Sequence, residues 1–236
     1  MTESGRPQRE HALVPPSALR PAVNPYCRSI YDHPTHLLPE PTPELLAARR
    51  AAAPRARRLI VDLGSGSGNF LLHLGREFPS DHMVGFELRF KRLVKSARKL
   101  EKLALPNVWL LREGAENFDA YFPPGSVDVL CVNFPDPWPK RSQWKKRLIT
   151  PAMLSRMEEV LKDGGLLRLK TDHSGYFLHS LALLRNRPRW KIRGISNDLH
   201  RCGPPGLHVQ TEFERLFTGK GKAIFYLVVE KTGEGA

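Results

Sequence analysis

The sequence is short of cysteine, of long apolar runs and of acids to balance its bases. Three cysteines in 236 residues (Cys27, Cys131 and Cys202) are too few and too scattered for a disulfide framework. No stretch approaches the ~20 apolar residues of a membrane helix, and the N-terminal residues lack the apolar centre of a secretory leader. A reducing, cytoplasmic setting without a membrane partner is therefore expected. The nine histidines include no H-x-x-x-H pattern, and no C-x-x-C pair stands beside His200, Cys202 and His208, so no metal is expected. Acids number 24 against 37 bases, a formal charge of +13 and a pI near 10.0. Such an excess points to a polyanionic partner, nucleic acid before a membrane surface. Apolar residues at 41% suffice for a core of ordinary size.

Two regions differ in texture. Residues 1–58 hold ten of the 21 prolines, nine arginines and no lysine, with little periodicity. Stretches such as Pro39-Glu-Pro-Thr-Pro43 resist both helix and sheet, so 1–58 reads as an extended, partly mobile arm, with a short helix over Pro43–Ala53. Basic arms of this sort lie along RNA or are inert tails, and composition does not choose. Residues 59–236 form the folded domain. Strands are expected at Leu59–Leu63, Met83–Glu87, Val108–Arg112, Val127–Val132, Leu166–Lys170, Trp190–Ile195 and Ala223–Glu230. Helices fall between them, one with Thr150 as cap and Pro151 at its first position and Asp163-Gly-Gly165 as its stop. This alternation predicts an α/β fold, a mostly parallel seven-stranded sheet with helices on both faces.

Asp62-Leu-Gly-Ser-Gly-Ser-Gly68 joins the first of these strands to its helix, at the sheet edge where ligands of open α/β folds bind. Gly64, Gly66 and Gly68 allow a tight turn and close approach of a ligand to the backbone. A dinucleotide fingerprint would place glycine at 69, where Asn69 stands. Asp62 adds a carboxylate unfavourable to a pyrophosphate but suited to the cationic methionine end of S-adenosylmethionine. Glu87, 19 residues after Gly68, is placed to accept ribose hydroxyls, which both cofactor classes carry.

Asn133-Phe-Pro-Asp-Pro-Trp-Pro-Lys140 follows the strand Val127–Val132. Its three prolines stiffen a loop carrying Asp136, Trp138 and Lys140, and Arg141-Ser-Gln-Trp-Lys-Lys-Arg147 follows with positive charge for phosphate and an aromatic face for a base. In these residues the chain resembles the bacterial tRNA (guanine-N(7)-)-methyltransferases, as it does at Lys170-Thr-Asp172, Asp198-Leu-His200 and Thr211-Glu-Phe-Glu214, over roughly residues 59–230. The resemblance implies a Rossmann-like class I methyltransferase fold and S-adenosylmethionine as cofactor. It implies tRNA as substrate, methylated at N7 of a variable-loop guanine (position 46). Asp62, Gly64, Gly66, Gly68 and Glu87 would bind the cofactor, and Asp136 would be the active-site acid at the junction of cofactor and guanine. Lys140, Asp172, Thr211, Glu212, Phe213 and Glu214 would hold the substrate. Relatives often carry Asp or Asn where Gly114 stands, so the adenine contact would come from the backbone of Gly114 and Ala115 or from Glu116.

Guanine N7 bears a lone pair and no proton, so its methylation requires alignment and charge stabilisation rather than a general base. The helix expected over Leu88–Leu103 carries Lys91, Arg92, Lys95, Arg98, Lys99 and Lys102 on one face, relieved only by Glu101, a pattern suited to phosphate. The alternatives are a methyltransferase of another RNA site or of an exocyclic amine, and an RNA-binding relative without catalysis. The sequence does not choose between a monomer and a homodimer.

Overall fold

The apolar runs fold as strands with bounds moved by a few residues. A computed structural model of the chain describes residues 24–203 and 209–233. Residues 1–23 of the expected arm, and His208, lie outside the described residues. In chain order the elements are α1 (Tyr26–Ser29), β1 (Leu37–Leu38), α2 (Pro43–Ala51), β2 (Leu59–Leu63), α3 (Asn69–Glu77), β3 (His82–Phe86), α4 (Phe90–Lys102) and β4 (Val108–Leu111). There follow β5 (Val127–Asn133), α5 (Pro151–Val160), β6 (Leu161–Thr171), α6 (Ser174–Arg185), β7 (Trp190–Ser196), α7 (Leu199–Cys202), α8 (Glu212–Thr218) and β8 (Phe225–Lys231). Short 3₁₀ turns over Ala115–Tyr121 and Arg141–Lys146 complete the path.

The sheet runs β1-β4-β3-β2-β5-β6-β8-β7, and only β8 opposes the common direction. Every residue of β2, β3 and β4 is buried, as befits strands covered on both faces. One core centres on Val61, Phe86, Leu130 and Tyr176, the other on Ile60, Leu71, Met83 and Val94, one on each side of the sheet.

Two expectations are corrected here. Among the described residues the sheet has eight strands, not seven, and residues 24–53 are no extended arm. Leu37 and Leu38 pair in parallel with Leu110 and Leu111, and Cys27, Ile30, Leu37, Leu38 and Leu46 are buried. His33 Nδ1 meets Glu101 of α4 at 2.8 Å, and His36 Nδ1 meets the Val108 carbonyl at 3.0 Å. Burial of a few well-spaced apolar residues anchors this segment, while the prolines between them erase any period that would announce it. Pro43 opens α2 with Thr42 as cap, its Oγ1 accepting from the Leu45 amide, which does agree with the short helix expected there. A smaller difference lies at Asp163-Gly-Gly165. α5 ends at Val160, and the glycines form an irregularity inside β6, where Leu161 pairs with Val127 but Leu166 with Val129.

Candidate active site

The parallel strands β2, β3 and β5 end at one edge, and their carboxyl ends carry Asp62, Glu87 and Asn133 toward it. Between β2 and α3, Gly64, Gly66 and Gly68 all adopt left-handed φ of +90°, +58° and +71°. At Gly68 the restriction is double, since a Cβ there would stand 2.7 Å from the Ser96 side chain of α4. The loop therefore lies tight against the helices behind it, with its outer face open to a ligand.

Asp62 is 1% exposed. Asn133 Nδ2 donates to its Oδ1 at 3.0 Å. Burial pushes the Asp62 carboxyl up to about 7, the Asn133 bond opposes this, and the Glu87 charge adds to it. A folded pKa raised above the unfolded one favours folding while the proton is held. That contribution is present below about 3.8 and is lost as pH rises through about 7. Urea unfolding of wild type and Asp62→Asn at pH 5 and pH 8 is expected to show wild type losing about 1–3 kcal/mol relative to the variant between the two. Parallel pH dependences would overturn this reading.

Glu87 is held from two sides. Its Oε1 accepts from the Arg89 amide at 2.9 Å, and its Oε2 lies 3.4 Å from Arg92 Nη1. The Arg92 guanidinium also covers the Phe213 ring at 5.6 Å. From Glu87 a cavity of about 750 Å³ runs across the strand ends to Asp136 and Trp138, closed on one side by Leu148 and Met153 of the α5 approach. Arg89, Arg92, Lys145, Lys146, Arg147 and Arg156 set six cations around it, against the carboxylates of Glu87, Glu113, Glu116 and Asp136. A crevice of about 30 Å³ under the glycine loop shares Gly64, Asn133, Phe134 and Phe213 with it. The buried Ser65 Oγ in that crevice has no hydrogen-bond partner. The open glycine turn, this free hydroxyl and two carboxylates fit a cofactor with a cationic end and a ribose.

Asp136 is exposed at the cavity wall, in a loop whose Phe134 and Trp138 both take left-handed φ, +51° and +41°. For non-glycine residues such conformations cost of order 1–3 kcal/mol each and persist only where neighbours enforce them. The Phe134 amide donates to the Lys170 carbonyl at 2.8 Å, and its ring packs 5.5 Å from Phe217.

The remaining expected site residues divide. Phe213 borders both cavities and Thr211 and Glu212 the smaller, while Thr211 and Glu214 also form a capping box at the start of α8 and are buried. Glu214 Oε2 accepts from Lys170 Nζ at 2.8 Å, and its Oε1 meets His200 Nε2 at 3.0 Å. Glu214 borders neither cavity and shapes the fold under Phe213, which corrects its expected role, whereas Thr211 both caps the helix and lines the smaller crevice. Asp172 pairs with Lys222 at 2.6 Å and borders neither cavity, and Lys140 is exposed outside both. Gly114 is also corrected. Its amide donates to Glu113 Oε1 at 2.7 Å and its carbonyl accepts from Asn117, which leaves Ala115 and Glu116 on the cavity wall. On α4, Lys99 turns inward to Asn69 Oδ1 at 2.7 Å and the Ser67 carbonyl at 3.3 Å, while Lys91, Lys95, Arg98 and Lys102 are exposed. Sequence reasoning missed Asn133, Arg92, Lys99 and Lys170 as supports of the site. Asn133 and Lys170 carried a signal, as the first residues of the proline-rich motif and of Lys170-Thr-Asp172, whereas Arg92 and Lys99 read only as part of a basic face.

A family model described as "Putative methyltransferase" matches residues 56–227. The tRNA (guanine-N(7)-)-methyltransferase of Levilactobacillus brevis is 33% identical over 190 residues, 80% of this chain and 87% of that protein. The chain belongs to this family. A bifunctional glycosyltransferase/methyltransferase of Fusobacterium nucleatum is 34% identical over 175 residues, 74% of this chain, which spans 27% of that longer protein. Among solved structures, an antibiotic-related methyltransferase superposes with a TM-score of 0.61 at 18% identity, covering 85% of this chain and 98% of its own. That likeness is one of fold alone, a class I methyltransferase sheet.

Proposed function

We propose that this protein transfers a methyl group from S-adenosylmethionine to N7 of a guanine in tRNA, at position 46 of the variable loop. The single observation that carries the reading is the cavity with Glu87 and the glycine loop at one end and Asp136 at the other, rimmed by cations. S-adenosylmethionine supplies an electrophilic methyl on a positively charged sulfur. Asp62, Gly64, Gly66 and Gly68 would hold its methionine end, Glu87 its ribose, and Ala115 and Glu116 its adenine side.

Asp136 then faces the reacting guanine. N7 needs no deprotonation, so the carboxylate accepts from guanine N–H groups and fixes the ring in line. As the ring becomes cationic, the same negative charge stabilises it. Phe134 and Phe213 give flat apolar surface beside that position. Lys145 and Lys146, with the exposed row Lys91, Lys95, Arg98 and Lys102 of α4, favour the polyphosphate backbone of a folded RNA.

The test is incubation with unmodified tRNA and labelled S-adenosylmethionine, followed by borohydride–aniline cleavage, which cuts at N7-methylguanine. Label in tRNA with a cut at position 46 supports the whole reading. A cut at another guanine keeps the chemistry and removes the site, and label without any cut removes N7.

A further inference from the structure

Pro135, Pro137 and Pro139 stiffen the Asp136 loop but have no N–H groups, which leaves the loop few amide donors of its own. Its carbonyls need donors from elsewhere. Arg147 provides them. Although it closes a basic run, its side chain is folded inward and the residue is 4% exposed, unlike Lys145 and Lys146 before it. Nε donates to the Pro137 carbonyl at 2.9 Å and Nη2 to the Trp138 carbonyl at 3.4 Å. The planar guanidinium lies over Trp144 at 4.4 Å and Tyr176 at 5.2 Å. Each of these rings is itself fixed. Tyr176 is fully buried and its hydroxyl accepts from the Ile149 amide at 3.1 Å, and Trp144 packs 4.8 Å from His179.

We propose that Arg147 is the positioning residue of the active-site loop, holding the Pro137 and Trp138 carbonyls so that Asp136 meets the guanine in line, and that it makes no phosphate contact. The two bonded carbonyls directly follow Asp136, and one belongs to Trp138, whose left-handed backbone requires an external hold. Nη1 is buried and has no hydrogen-bond partner, so although Arg147 borders the cavity its head group is turned away from bulk solvent. A bidentate planar donor stacked between rings is work for guanidinium, which a flexible ammonium performs less well. The basic run thus divides, with Lys145 and Lys146 exposed, Lys146 Nζ lying 4.8 Å over the Trp138 ring, and Arg147 folded inward to the loop carbonyls.

This inference rests on the proposed role of Asp136, and the experiment separates the two. Arg147→Gln, Arg147→Lys, Asp136→Asn and the double variant Asp136→Asn/Arg147→Gln are compared by steady-state kinetics. Salt-dependent tRNA binding and tryptic cleavage within Lys140–Lys146 are measured alongside. Arg147→Gln is expected to lower kcat about 10–100-fold by misplacing the carboxylate, with KM for tRNA within about twofold. It is expected to leave the salt slope of binding unchanged, whereas Lys145→Ala reduces the slope by about one. Cleavage in the loop should quicken, Arg147→Lys should recover part of kcat, and the double variant should be no slower than Asp136→Asn alone. A reduced salt slope for Arg147→Gln would make it a phosphate ligand and overturn the proposal, as would full additivity with Asp136→Asn. Should Arg147→Gln fail to fold, Arg147→Lys carries the same comparisons. If Asp136→Asn itself turns over like wild type, the role given to Asp136 fails first, and the proposal with it. An intact Asp136 effect beside wild-type kcat for Arg147→Gln removes only the proposal.

Discussion

Asp136→Asn is expected to reduce turnover on tRNA by about 10²–10³-fold while cofactor affinity stays within a few fold. The estimate follows from what the substitution removes. The amide keeps the size of the side chain and one acceptor oxygen, so the loop keeps its shape, but the charge that matches the cationic ring is gone. Loss of one aligned electrostatic partner of a transition state costs about that factor. Asp136 is exposed at the cavity wall, opposite the Glu87 end, so the cofactor should feel little of the change. Single-turnover rates with saturating cofactor, together with its Kd by calorimetry, measure the two quantities separately. A variant with wild-type rate would end the assignment of Asp136. A variant whose loss lies wholly in cofactor affinity would move Asp136 to the cofactor side.

The second large effect is one of stability. Lys170→Met is expected to destabilise the fold by about 3–5 kcal/mol, because it strands the carboxylate of Glu214, which is 2% exposed. Lys170 Nζ also donates to the Val209 carbonyl at 3.0 Å, so the substitution takes a donor from two acceptors at once, leaving Glu214 Oε2 with the Thr211 amide at 3.2 Å. For a chain of this length the loss corresponds to a fall in Tm of roughly 6–20 °C. His200 Nε2, 3.0 Å from Glu214 on the solvent side, offers only partial compensation. Adding Glu214→Gln to Lys170→Met keeps the capping interaction while removing the stranded charge, and is expected to recover more than half of the loss. Thermal unfolding of the single and double variants tests this, and a single variant melting with wild type would show that the pair contributes nothing. Because α8 carries Phe213 to both cavities, Lys170→Met should also weaken activity in proportion to the loosening of that helix.

How much of this was readable in advance depended on whether the signal was local. Strands β2 to β5 are short apolar runs between turn residues, and the sequence places them to within a residue or two. Thr150-Pro151 and Thr211 with Glu214 are helix-start signals that act over three or four residues, and both function as such in the fold. Glu214 also shows the hazard of taking a residue's role from resemblance, since that position is consumed by capping and burial. What escaped was set by partners far away in the chain. Lys170 and Glu214 are 44 residues apart, and neither announces the other. Leu37-Leu38 is too short to have a period, and its status as a strand is conferred by β4, some 70 residues on. Arg147 reads as one more base in a basic run until three prolines leave the neighbouring loop short of donors.

The position of β8 between β6 and β7 governs the order in which the molecule can be made. β7 leaves the ribosome before β8, yet every one of its sheet partners belongs to β8. A nascent chain that has reached Ser196 therefore carries β7 with no strand to join and β6 with an open edge. Both wait roughly thirty residues of synthesis for the insertion that joins them. Lys191 and Arg193, both exposed along β7, add positive charge to that waiting edge and discourage pairing with another copy. The same late insertion seats Ile224 and Tyr226 against Leu199 and Phe134, so the active-site loop gains its last apolar support only as the sheet closes.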